Sequence, residues 1–262
     1  MPDDDDPRQL SLYANPSRYD AIAESVSDDL LWWQQCLGTG PQSILELGCG
    51  TGRISLLLAA MGHRVIGLDC VAAMLQHARS KPGAAEVQWI EGDMRRLDAV
   101  DELSLGAFDA VIIANNTLAH VHTVAQLLDI CEYIQRLLKP GGSLWLDCFA
   151  PSEDLLHPGS EDLVTYIDPS DGAMVQVVEE HSCDSRGELM QVRWYHCRAD
   201  ETRDQARAQP ESMVLRLWQP GDIRAAAHVA GLQEVQACGD YDASPLDEES
   251  PLMLFRFRRP AD

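Results

Sequence analysis

The chain predicts an α/β fold: a seven-stranded, doubly wound, mostly parallel sheet carrying an antiparallel β insert. Three observations support this. Strand-like apolar runs alternate with amphipathic helical stretches over residues 44–149, the pattern of βαβ units. The first run, Ile44-Leu45-Glu46-Leu47, stops at a glycine loop, Gly48-Cys49-Gly50-Thr51-Gly52. Beyond Pro151 the pattern becomes short alternating strands separated by turn clusters, which marks antiparallel pairing.

Each element has a local reason. The loop reads as strand, tight turn and helix start, the helix being carried by Ile54-Ser55-Leu56-Leu57-Leu58-Ala59-Ala60. A second strand is expected over 63–69, ending in Asp69, and a third over 87–91, running into Gly92-Asp93-Met94. A fourth, over 108–114, ends at Asn115-Asn116-Thr117. A helix over 124–138 should stop at Lys139-Pro140-Gly141-Gly142, before a fifth strand over 143–149. The insert should hold strands over 163–167, 174–181, 189–198 and 212–218, followed by a helix over 223–229 and closing strands over 232–237 and 252–258. The expected organisation is a helical lid over 1–40, a ligand-binding core over 41–150, the insert over 151–220 covering the site, and 221–262 completing the sheet.

The loop chemistry narrows the ligand. Glycines lack the Cβ that blocks close approach and tolerate positive φ. The following helix start directs unpaired N–H groups and a positive dipole end at the same space. Taken alone, such a loop serves equally as a structural turn. Its G-x-G-x-G spacing departs from the G-x-G-x-x-G dinucleotide fingerprint, and Glu46 would repel a pyrophosphate. The acidic residue suits a ligand with positive groups, such as the ammonium and sulfonium of S-adenosylmethionine (SAM). Asp69, about 20 positions beyond the loop, stands where an α/β fold grips ribose hydroxyls. Asp93 suits an adenine amino group, with Met94 against the ring.

Glu46 to Gly52, Asp69, Gly92-Asp93-Met94, Phe108-Asp109 and Lys139-Pro140-Gly141-Gly142 together resemble the ordered motif set of class I SAM-dependent methyltransferases. The resemblance is strong over 40–150; Tyr13, Tyr19-Asp20 and Gly239-Asp240-Tyr241-Asp242 more loosely resemble its small-molecule branch. It implies a Rossmann-like fold, SAM as methyl donor and S-adenosylhomocysteine (SAH) as product. It implies that Gly48, Cys49, Gly50 and Gly52 meet the methionine part of the cofactor, with Glu46 beneath the loop and Arg53 reaching the methionine carboxylate or lying on the surface. Asp69 would hold the ribose, Cys70 and Met74 would flank the adenosine, and Gly92, Asp93 and Met94 would form the adenine pocket. Asn115 would lie near the sulfonium and Tyr19 would close over the cofactor.

Composition narrows the partners. A formal net charge of -22 repels polyphosphate, so nucleic acid is not an expected partner. The same charge equally serves solubility. Residues 1–7 include four consecutive aspartates and read as a self-repelling tail. No apolar stretch spans a membrane and the start lacks a signal-peptide pattern, so a cytoplasmic protein is expected; the resemblance implies a small-molecule acceptor, homo-oligomerisation being left open. The eight cysteines form no C-x-x-C pair and read as free thiols, and no metal site is expected.

Catalytic candidates are fewer. A hydroxyl or carbon acceptor profits from a general base, and His120, in the loop leaving the fourth strand, is the candidate; capping or packing is its other role. His122 completes a His-x-His pair with no third ligand at a persuasive spacing. Tyr241, in the turn before the last strand, is a second catalytic candidate. Either face of the strand over 189–198 suits the roof of the site. The expected activity is methyl transfer to nitrogen or oxygen of a small metabolite. The rivals are a catalytically silent SAM-binding module, a dinucleotide-dependent oxidoreductase and a protein-methylating enzyme.

Overall fold

The computed structural model describes residues 6–24 and 28–261. Most of the expected acidic tail therefore lies outside the described residues. The strands are β1 (Ser43–Leu47), β2 (Arg64–Asp69), β3 (Val87–Glu91), β4 (Phe108–Ile113) and β5 (Leu138–Phe149), then β6 (Gly159–Ile167), β7 (Met174–Cys183), β8 (Leu189–Arg198) and β9 (Glu211–Arg216), and finally β10 (Gln233–Cys238) and β11 (Leu252–Arg258). Seven of them form one sheet in the order β10-β11-β5-β4-β1-β2-β3, and the other four form a second sheet in the order β6-β7-β8-β9. In the large sheet β1 to β5 run parallel and β11 pairs antiparallel with both β5 and β10. The strand order reverses beside β1, so the carboxyl ends of β1 and β4 diverge and leave a crevice.

The period-2 alternation of the strands sorts the core into two layers. Leu45, Leu47, Val111, Ile113, Leu144 and Leu146 pack against helices Val124–Leu137 and Pro220–Val229. Ile44, Ala110, Ile112 and Trp145 face the other way, against Trp33, Leu37, Ile54 and Leu58 of helices Asp28–Leu37 and Arg53–Ala60. Trp32 and Trp33 thus pack into the core. Helix Val124–Leu137 buries Leu127, Ile130, Cys131, Ile134 and Leu137 and starts in a Thr123–Gln126 capping box. Each large aliphatic side chain buried there contributes about 1.5–3 kcal/mol.

The expected helix stop at Lys139-Pro140-Gly141-Gly142 belongs instead to β5. The helix ends at Leu137 and Leu138 is already extended. Pairing jumps from Phe108–Leu138 to Ala110–Ser143, so the intervening residues bulge. Gly141 supplies the bend at φ +80°, and a Cβ on Gly142 would come within 3.0 Å of the Phe108 carbonyl. The bulge still has ladder partners: Gly141 N–H donates to the Arg259 carbonyl at 3.0 Å, and Arg259 N–H to the Gly142 carbonyl at 2.8 Å.

The insert is an antiparallel meander. β6 starts at Gly159, ahead of the expected 163, and bulges between Asp162 and Val164. β9 ends at Arg216, because Trp218 turns inward to donate its indole N–H to the Leu118 carbonyl at 3.1 Å. The Met190, Val192 and Trp194 face of β8 turns to the core. The opposite face, with Tyr195, is covered by the short helix Arg203–Ala206.

Candidate active site

A cavity opens at the carboxyl ends of β1 to β4. Four loops supply its floor: Gly48 and Gly50 after β1, Asp69 and Cys70 at β2, Gly92, Asp93 and Met94 after β3, and Asn115 and Thr117 after β4. Met74, Tyr19 and His120 complete the expected residues that line it.

The three loop glycines have different reasons. All have positive φ, +71° at Gly48, +54° at Gly50 and +80° at Gly52. A Cβ on Gly48 would overlap the Thr117 side chain, and one on Gly52 the Trp89 ring. At Gly50 it would meet only Met74 Cε, at 3.7 Å. Gly48 and Gly52 are therefore required by packing, while Gly50 leaves bare backbone beside the cavity. Gly52 does not line it. Cys49 is also outside, buried where a Cβ on Gly67 would meet its sulfur.

Asp69 organises this loop. One carboxylate oxygen accepts the Gly50 N–H at 2.8 Å and the other the Val71 N–H at 2.8 Å. Burial raises its pKa in spite of both bonds. Each oxygen keeps a lone pair for a further donor. Asp93 caps the 3₁₀ turn Met94–Ala99 through the Arg95 N–H and binds the Arg95 guanidinium at 2.8 Å. Burial opposes its ionisation, but the Arg95 bonds outweigh it and hold the carboxyl below the usual range. The expected adenine acceptor is thus already half engaged by Arg95, itself a cavity residue.

Glu46 lies beneath the loop, not on the cavity. The strand period places it on the Ile44 face, where the Ser55 hydroxyl of helix Arg53–Ala60 donates to it. Burial pushes its pKa up to about 8, against that bond and the nearby Arg53 charge. Arg53 does not reach the cavity either: both terminal nitrogens bind the Asp29 carboxylate at 2.7 Å.

The β4 turn holds two consecutive asparagines in left-handed conformation, Asn115 at φ +55° and Asn116 at φ +60°. Side chains other than glycine reach this region at a cost, and asparagine most readily. Asn116 N–H donates to Asp147 at 3.1 Å, and its side-chain carbonyl accepts the Phe149 N–H. Tyr241, a catalytic candidate, lies outside the cavity and donates to Asp147 at 3.1 Å, with its ring 6.5 Å from that of Trp32. Burial raises Asp147 to about 6 despite these donors. Tyr241 therefore supports the turn through Asp147.

His120 ends the 3₁₀ turn Thr117–His120. Its Nε2 meets the Tyr13 hydroxyl at 2.7 Å, and its Nδ1 is shielded without a hydrogen-bond partner. Burial, with the His122 and Arg95 charges, pushes its pKa down to about 4. His122 points elsewhere, its Nε2 meeting the Val214 carbonyl at 3.0 Å, so the His-x-His spacing makes no metal pair. Tyr19 accepts the Asn115 side-chain N–H at 3.3 Å.

Pro7, Tyr13, Arg95 and Thr117 also line the cavity and were not among the expected site residues. Arg95 had a local signal, two positions past an aspartate that caps a helical turn. Thr117 had none, since only the fold brings it to Gly48.

Bare backbone at Gly50, a buried carboxylate at Asp69 and an aromatic wall of Tyr13 and Tyr19 suit an adenosyl cofactor with cationic groups. The fold and this cavity define a Rossmann-like nucleoside-cofactor protein. Residues 44–142 match the family described as a methyltransferase domain. Cypemycin N-terminal methyltransferase from a Streptomyces species is 29% identical over 244 residues, covering 92% of this chain and 94% of that protein. The fold is similar to the CcbJ methyltransferase of Streptomyces caelestis, with a TM-score of 0.73 at 22% identity over 89% of each chain. It is also similar to SAM-bound CalS10, an amino pentose methyltransferase from Micromonospora echinaspora, with a TM-score of 0.62 at 24% identity over 96% of this chain and 93% of that one. The domain match over residues 44–142, the relatives and the fold together indicate a class I SAM-dependent methyltransferase with SAM as methyl donor. Among the described residues no helix is long and apolar enough to cross a membrane.

Proposed function

We propose that the protein methylates an amine nitrogen of a small molecule in the cytoplasm. SAM supplies an electrophilic methyl group, and the protein aligns the acceptor lone pair and excludes water. A hydroxyl acceptor also needs a nearby base. The observation that carries the reading is His120: a pKa near 4 makes its imidazole a weak base, and its Nε2 is already bonded to Tyr13. An amine needs only to arrive neutral, its proton lost to water beforehand. The relatives named for an N-terminal and an amino pentose acceptor agree with this reading. Pro7, Tyr13 and Tyr19 of the N-terminal segment line the cavity and the insert packs against both tyrosines, which favours a small acceptor, and eight free cysteines suit a reducing compartment.

The test is SAH release from SAM across a panel of amines, phenols and carboxylic acids, with the methylated atom located by NMR. N-methyl products are expected. Turnover of phenols alone would transfer the reading to oxygen, and SAH binding with no turnover on any class would leave a silent SAM-binding module.

A further inference from the structure

A second cavity lies between the inward face of the insert and the end of β5. Met190, Val192, Met213 and Leu215 wall it on one side and Phe149 on the other. Those insert residues pack in one cluster with Ala119, and Tyr13 and Tyr19 lean on the same cluster. Phe149 is tied to Asn116, next to Asn115 of the cofactor cavity. The two cavities share no lining residue, but this cluster and the Asn116–Phe149 bond join the wall of the first to that of the second.

Its β6–β7 end is polar. Glu161 pairs across from Glu179, and the period-2 alternation brings His181 to the same face. One donor atom from each lies within 4.8 Å of the others. Glu179 accepts the Trp194 indole N–H at 2.8 Å, and its other oxygen is 3.4 Å from His181 Nδ1. The His181 side chain is 7% exposed, yet neither ring nitrogen makes a hydrogen bond. Leaving such a group unpaired is unfavourable unless a ligand completes it. Among the described residues no lysine or arginine pairs with Glu161 or Glu179.

We propose that Glu161, Glu179 and His181 bind an alkylammonium group that the acceptor carries at a distance from the nitrogen that is methylated. The proposal rests on the amine reading above. The N–H donors of one ammonium reach partners at about 2.9 Å and so bridge atoms spaced like these. The reacting nitrogen belongs elsewhere, because paired carboxylates keep an amine protonated and a protonated amine has no lone pair for attack. The acceptor class is thus a molecule with at least two amino groups, joined by an apolar body that matches Met190, Val192, Met213 and Leu215.

Calorimetric titration of the SAH-loaded protein with hexamethylenediamine and with 1-hexanol, which lacks an ammonium group, tests this. The diamine should bind about tenfold more tightly or better, a margin of about 1.4 kcal/mol, and Glu179→Gln should erase the margin while SAH affinity stays unchanged. Glu161→Gln, on the exposed side of the cluster, gives the same test should Glu179→Gln fold poorly. Equal binding of the two compounds, or a margin that survives both substitutions, overturns the proposal. So does zinc or manganese binding that His181→Ala removes and the diamine cannot displace. Absence of SAH binding in the unaltered protein would instead sink the methyltransferase reading, so the two failures are distinct.

Discussion

The Tyr13 hydroxyl and His120 Nε2 lie 2.7 Å apart and join the N-terminal segment to the turn that leaves β4. Burial raises the Tyr13 pKa well above its ordinary value. The phenol therefore keeps its proton and donates it, which leaves the imidazole proton on Nδ1. An imidazole held this way cannot take an acceptor proton at Nε2 without giving up Tyr13.

His120→Ala and Tyr13→Phe should each lower kcat by about tenfold or less, and the double variant should cost no more than either alone, since the pair acts as one unit. Steady-state kinetics on an amine acceptor, with SAH calorimetry as a control, measures this. A loss of about 10²–10⁴-fold in His120→Ala, with an inflection near the ordinary imidazole pKa disappearing from the pH profile, would establish a general base instead.

Asp69→Ala should weaken SAH binding by about 1–3 kcal/mol, because ribose hydroxyls lose a charged acceptor. The substitution also frees the Gly50 and Val71 N–H groups. Asp69→Asn should recover little, since its amide nitrogen must face one of those donors. Calorimetry decides, and an unchanged affinity in both variants removes Asp69 from the site.

The strands of the cofactor core were legible because parallel strands buried on both faces read as continuous apolar runs cut by glycine. β3, β8 and β11 begin and end at the expected residues. What stayed hidden depends on partners remote in sequence. Local pattern reads Lys139-Pro140-Gly141-Gly142 as a helix stop, and nothing nearby reveals that Arg259 completes a bulged strand. Arg53 and Tyr241 are polar residues in suggestive places, but Asp29 and Asp147 already occupy them. The glycine spacing marked the loop, whereas Thr117 and Trp89, which explain two of its three glycines, come from other strands' loops and edges.

Glu46→Gln should leave stability nearly unchanged in mild acid and become increasingly stabilising as pH rises. Folding raises the Glu46 pKa from its ordinary 4.5 to about 8. Between those values the folded state holds a proton that the unfolded state releases, so the wild type loses stability with rising pH, at up to about 1.4 kcal/mol per pH unit. Glutamine mimics the protonated acid and does not titrate. Denaturant unfolding of both proteins from pH 5 to 9 measures the difference, and a constant gap across that range would show that Glu46 is ionised in the folded state.

The last prediction concerns helix Pro16–Ala23, where three consecutive residues grip three bodies. Successive helical positions are about 100° apart, so their side chains diverge. Arg18 pairs with Glu211 of the insert, Tyr19 meets Asn115 of the β4 turn, and Asp20 binds Thr51, His77 at 2.8 Å and Lys81 at 2.6 Å on the cofactor core. Asp20 is thus the tie between this helix and the glycine loop. Hydrogen bonds to a charged group contribute about 1.5–3 kcal/mol each, so Asp20→Ala should release the helix locally without unfolding the sheet. In hydrogen exchange, residues 10–24 and the insert should be more protected with SAH than without it, and Asp20→Ala should remove most of that gain while β1 and β4 exchange as before. SAH dissociation should quicken by about tenfold in the same variant, measured by stopped flow. If segment 10–24 is equally protected with and without SAH, and Asp20→Ala dissociates SAH at the wild-type rate, the helix is a fixed wall and access to the cofactor must run by another route.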